Sequence, residues 1–194
     1  MLLKNLWQVN RCLDKSTKIL LVKQLIISRL DYCNVLYYGL PKKLLDSLQR
    51  VLNSCVRFVY GLYGHQDTYM PQLKEMHVLP VGERVTFKVC LMAYKIVHGL
   101  APAYLQDQVP VDDGLHLIRT TRGNAWPDGL KLKYPKLSSI NANSKLRRRR
   151  PSVFLPEVWN RLPIELRALD SVDLFKSRLK TSLFTEAFGE YGLP

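Results

Sequence analysis

Residue pairs that make metal centres or nucleophiles are scarce in this chain. Its four cysteines, Cys12, Cys33, Cys55 and Cys90, stand far apart with no Cys-x-x-Cys spacing. That excludes the usual thiolate zinc sites and gives no sign of a disulfide framework. His65, His77, His98 and His116 show no His-x3-His spacing either. There is no Gly-x-Ser-x-Gly elbow, and Ser16, Ser28, Ser54 and Cys33 have no evident base beside them. A phosphate-cradling Gly-x4-Gly-Lys-[Ser/Thr] loop is missing, and the only adjacent acids are Asp112-Asp113, before Gly114. Such a pair is far more often a solvated turn than a two-metal centre. The reading is a noncatalytic chain with no metal and no cofactor.

Long apolar runs are missing too. The greasiest stretch, Ile19–Val22 with Leu25–Ile27, is broken by Lys23 and Gln24, well short of a membrane span. The start, Met1-Leu-Leu-Lys-Asn, does not read as a signal peptide. These features predict an intracellular protein, nuclear or cytoplasmic, that is neither secreted nor membrane-bound.

Acidic residues are few. The 194 residues hold 29 Lys or Arg against 16 Asp or Glu, a formal net charge of +13. Between Leu115 and Arg150 stand ten basic residues and one acid, Asp128, so this stretch alone carries +9. It ends in Lys145-Leu-Arg147-Arg-Arg-Arg150. Charge so concentrated attracts polyanions, and nucleic acid is the commonest of these.

Hydrophobic periodicity outlines helices elsewhere. Ser16–Tyr38 reads as one long helix, with Val22, Ile26, Leu30, Cys33 and Tyr37 in register and only a narrow polar stripe through Gln24, Ser28, Asp31 and Asn34. So apolar a helix is expected to be buried on most sides. Gly39 suits a left-handed cap, and Pro41 opens a second helix reaching about Val59, closed by Gly61 and Gly64. A short helix at Met70–Met76 precedes a third long one from Val81 to Val97, closed by His98 and Gly99; Ala101–Val109 adds a short helical turn. Past Pro110 the periodicity fades. Leu115–Arg119 and Leu130–Tyr134 alternate briefly around Pro127-Asp-Gly129, predicting a small β-hairpin. Pro156 and Pro163 each suit a helix start, Trp159 reads as a core anchor, and Ser171 caps a last helix with Phe175, Leu179 and Leu183 in line. The expected fold is mainly α: a helical bundle (1–109), a basic irregular linker (110–150) and a C-terminal helical tail (151–194).

The basic segment carries the candidate site. Arg119, Arg122, Lys131, Lys133, Lys136, Lys145, Arg147, Arg148, Arg149 and Arg150 are placed to neutralise successive phosphates. Trp126 and Tyr134, interleaved with them, offer faces for stacking bases. The plainer alternative is a solvated linker or an import signal at Lys145–Arg150.

A series of phrases then resembles a known family. They are Ser28-Arg-Leu-Asp-Tyr-Cys-Asn34, Tyr38-Gly-Leu-Pro41, Leu48-Gln-Arg-Val-Leu-Asn53 and Leu73-Lys-Glu-Met-His-Val-Leu-Pro80. They continue with Tyr94-Lys-Ile-Val-His-Gly-Leu-Ala-Pro-Ala-Tyr-Leu105, Pro156-Glu-Val-Trp-Asn-Arg-Leu-Pro163 and Phe175-Lys-Ser-Arg-Leu-Lys180. In this order they resemble the C-terminal part of the polyprotein of jockey-like non-LTR (LINE-type) retrotransposons. The resemblance runs over about residues 5 to 188. It implies a region after the palm of a reverse transcriptase, with residues 16–62 thumb-like, and either an element remnant or a cellular gene derived from one. The family's catalytic Asp-Asp motif and endonuclease site lie upstream of this region. Asp31-Tyr-Cys has one carboxylate where that chemistry wants two, so no catalytic residue carries over. Relatives have a less uniformly basic stretch where this chain has Arg147–Arg150, so the basic run rests on electrostatics alone. The partners expected are RNA or DNA, bound without sequence preference, or, as the alternative, a polymerase domain against which the apolar helices pack.

Overall fold

The computed structural model describes residues 2–62, 69–109, 111–112, 131–134 and 149–189. The fold is mainly α, with 77% of these residues helical. They group into two compact units, residues 1–85 with 183–194, and residues 86–182. This division follows packing, whereas the boundaries near 110 and 151 follow composition, and the two partition the chain differently.

In the first unit, α1 (Leu2–Gln8) leads through a 3-10 turn to α2 (Lys15–Leu21). Asp14 caps α2, accepting from the backbone N–H of Ser16 at 3.1 Å and of Thr17 at 3.3 Å. Hydrogen bonds from the Ser16 and Thr17 side chains, with that of the Thr17 amide, hold its carboxyl well below the usual carboxylate range.

The helix does not run to Tyr38. Residues Val22–Ile27 form a π-helical stretch, followed by α3 (Ser28–Asp31), after which Tyr32 is extended and Cys33 left-handed at φ 51°. The wider turn adds a residue, so Ile26 and Ile27 both face the core while Leu25 is exposed. Tertiary bonds explain the stop. Asp31 receives both the Nε (2.8 Å to Oδ1) and an Nη of Arg84, and Asn34 is buried with its amide turned towards Asp31. Asn34 is therefore not part of a solvated stripe. Nor is the segment buried on most sides: Tyr32 is 76% and Leu36 69% exposed, and Leu20 and Leu25 are exposed as well. Periodicity reports which residues are apolar, not whether a neighbour covers them.

From Pro41 at its N-cap, α4 (Lys42–Tyr60) runs to Gly61, whose φ of 64° makes the left-handed C-cap. It buries Leu52, Cys55, Val56, Phe58 and Val59. Trp7 meets Phe58 edge-on at 5.6 Å. α5 (Met70–Glu75) follows, then α6 (Val81–Val97), which matches the expected third helix at both ends. Its first amide, that of Val81, donates to Gln49 Oε1 at 2.9 Å, tying α6 to α4.

The second unit is built around aromatics. Tyr94, on the latter part of α6, stacks on Phe175 at 4.4 Å and meets Trp159 edge-on at 6.3 Å. All three are fully buried, and the Tyr94 hydroxyl donates to the Leu169 carbonyl at 2.9 Å. Trp159 is thus the expected core anchor. After α7 (Ala103–Gln108), β1 (Val111–Asp112) pairs antiparallel with β2 (Lys131–Leu132), Val111 opposite Leu132. The expected hairpin placed Leu115–Arg119 opposite Leu130–Tyr134; β2 lies in the second of these, but its partner is β1. Leu115–Arg119 lies outside the described residues.

α8 (Pro151–Arg161) starts at Pro151 and runs through Pro156, so Pro156 lies inside the helix and not, as expected, at its start. Proline at the first position removes no helical hydrogen bond, and the interior Pro156 removes one. Pro163 does cap the short α9 (Ile164–Arg167). Ser171 precedes α10 (Val172–Phe188), its carbonyl accepting from Phe175 N at 2.9 Å, with Phe175, Leu179 and Leu183 buried in line.

Candidate nucleic-acid interface

Of the twelve candidate residues, five lie among those described: Lys131, Lys133, Tyr134, Arg149 and Arg150. Arg119, Arg122, Trp126, Lys136, Lys145, Arg147 and Arg148 lie outside them.

The five are held by two anchors. At β2, Leu132 is 2% exposed, and its backbone is bracketed by one side chain of α8. Leu132 N donates to Asn160 Oδ1 at 3.1 Å, and Asn160 Nδ2 donates to Leu132 O at 3.0 Å. A strand edge that would otherwise need another strand is thereby satisfied by an amide. Alternation then sends Lys131 and Lys133 to the face opposite Leu132. Lys133 is exposed, and Tyr134 is 59% exposed. A tyrosine so open has one ring face available to a planar ligand.

The second anchor is the start of α8. Arg150 occupies the N-cap, its carbonyl accepting from Val153 N at 2.9 Å and Phe154 N at 3.1 Å, with Arg149 before it; both side chains are exposed. Arg149 and Arg150 thus sit at the positive end of a helix dipole, a place that favours an anion. Chemically, both anchors suit phosphate, and Tyr134 suits a base.

No family model, curated protein or solved structure matches this chain. The site's reading therefore rests on its own geometry. Asn160 went unnoticed in the sequence, where an amide after a tryptophan has no local signal of its role; its partner is 28 residues away.

Some of the polar groups weighed above are engaged within the fold. Asp31 is ion-paired with Arg84. Ser28 donates to the Gln24 carbonyl, and Ser54 to that of Arg50. Burial pushes the thiols of Cys55 and Cys90 up to about 12, which leaves them protonated at neutral pH. Among the described residues no three His, Cys, Asp or Glu side chains gather as a metal site would require, and no helix is long and apolar enough to cross a membrane.

Proposed function

We propose that this chain is a noncatalytic nucleic-acid-binding module that contacts RNA or DNA phosphates through the basic segment 115–150. In this reading it is the C-terminal part of a non-LTR retrotransposon reverse transcriptase polyprotein, or a product derived from one. The observation that carries the binding is the fixed presentation of the segment's end pieces. Asn160 and buried Leu132 hold β2, just beyond which Lys133 and Tyr134 are exposed, and α8 carries Arg149 and Arg150 at its positive end. Contacts of this kind bind phosphate, so affinity falls with salt and depends little on base sequence.

The test is Tyr134→Ala beside Lys131→Gln/Lys133→Gln, assayed for binding to labelled single-stranded RNA. Loss of one stacked base is worth about 1–3 kcal/mol, so Tyr134→Ala should weaken binding by about 5- to 150-fold. Unchanged affinity in both folded variants would remove β2 from the interface.

A second reading is favoured by one observation, the exposure of Leu20, Leu25, Tyr32 and Leu36 on a segment whose periodicity predicts cover. Here the chain is an interaction fragment whose apolar helices pack on a polymerase domain. Sedimentation of the isolated chain tests it: concentration-dependent self-association, relieved by Tyr32→Ser/Leu36→Ser, supports this reading, and a clean monomer opposes it.

A further inference from the structure

The strongest charge outside segment 115–150 is in the first unit. Residues 1–62 hold ten Lys or Arg and three acids, a net +7. Part of this is organised. On α4, Lys43, Ser47, Arg50, Ser54 and Arg57 recur at alternating spacings of four and three, which places them on one line of the helix, away from buried Leu52, Cys55, Val56 and Val59; buried Phe58 lies to one side of the row, where Arg57 is half-buried. The line is about 21 Å long at 1.5 Å per residue.

The row is linked along its length. Ser47 Oγ donates to the Lys43 carbonyl at 3.0 Å and accepts from Arg50 Nη2 at 2.8 Å. One heptad on, Ser54 Oγ donates to the Arg50 carbonyl at 2.9 Å and accepts from Arg57 Nη2 at 2.9 Å. Arg50 also donates Nε to the Asp46 carbonyl at 3.3 Å. Each serine therefore spends its own proton on the helix and uses a lone pair to hold the next guanidinium. The two arginines lie restrained along the surface with N–H groups to spare, so less side-chain freedom is lost when an anion binds. Among the described residues none of the three cations pairs with a carboxylate. Asp46, the one acid on α4, flanks the row.

The residue after each of the first two cations is apolar and open: Leu44 is 50% and Val51 40% exposed. A cation row beside an apolar row suits a strand whose phosphates lie on one side and whose unstacked bases lie on the other. Along a duplex the apolar row would have no counterpart, because stacked bases offer it no face. A bilayer fits poorly, since the main apolar face of α4 is already used in the core. We infer that the outer face of α4 is a second nucleic-acid contact, one that tracks the backbone of a single strand through Lys43, Arg50 and Arg57. It does not depend on the segment 115–150 and stands if that segment proves inert.

Two measurements on the whole chain test it. In the first, arginine modification by phenylglyoxal is mapped on the wild-type protein with an oligouridine of about 16 nucleotides, a length within single-strand site sizes. Arg50 and Arg57 should be protected by the oligouridine and not by a duplex of equal length or by phosphatidylserine vesicles. Absence of protection, or equal protection by duplex or vesicle, overturns the proposal. In the second, the salt dependence of oligouridine binding is measured for Lys43→Gln/Arg50→Gln/Arg57→Gln. Single-strand slopes change by about 0.7 per phosphate contact, so the slope should become shallower by about 2. An unchanged slope in a folded variant overturns the proposal, whatever Arg147–Arg150→Ala does.

Discussion

Replacing Asp31 by Ala would take from the partly buried Arg84 guanidinium the carboxylate it pairs with. The magnitude follows from the geometry. The pair is two-pronged, Nε to Oδ1 at 2.8 Å and an Nη to the other oxygen, and both side chains are only partly accessible. Opposite charges about 4 Å apart near a protein surface attract by about 4 kcal/mol, but most of this is offset by lost hydration. A net coupling of about 1–2 kcal/mol remains. Each single substitution should cost more, about 2–3 kcal/mol, because it also strands the partner. Urea unfolding followed by circular dichroism on wild type, Asp31→Ala, Arg84→Ala and the double variant separates the two quantities. Arg84→Lys should recover less than half of the loss, since an ammonium cannot make both bonds. A coupling within about 0.3 kcal/mol of zero, the scatter of independent sites, would refute this account of why the helix stops at Asp31.

Three further outcomes are expected. Trp159→Ala should destabilise by about 3–5 kcal/mol in the same urea assay, because the indole is fully buried against the Tyr94–Phe175 stack. A thiol reagent should label Cys12 and Cys33 quickly and leave Cys55 and Cys90 protected until urea is added, as read by mass spectrometry. His98, stacked on Tyr94 at 4.0 Å, is held by burial below its ordinary 6.5, against a weaker pull from Asp170. The unfolded chain then takes up this proton more readily than the folded one. Stability should fall as pH drops below about 6.5, and His98→Gln should flatten that part of the urea-midpoint profile.

What the sequence discloses follows from how local each signal is. α4 and α6 were legible because burial pattern, proline and closing glycine all lie within the segment. The break after Asp31 was not, because it depends on Arg84, 53 residues on, and on a π turn that shifts the register without altering composition. For β2 the sequence showed a strand but not its neighbours, since Val111 and Asn160 reach it from both directions. The basic segment stood out because net charge needs no geometry to be counted. The same prominence concealed the quieter row on α4, whose heptad spacing, Lys43, Arg50, Arg57, was readable all along.

The most direct test of the central claim is the binding of single-stranded RNA and duplex DNA across a salt series, for wild type and Arg147–Arg150→Ala. The account predicts tight binding at ~50 mM salt, a steep loss as salt rises, and a single-strand slope shallower by about 3 in the variant, four contacts at about 0.7 each. Failure of either nucleic acid to bind at ~50 mM salt, or a slope indifferent to the loss of four arginines, would contradict it.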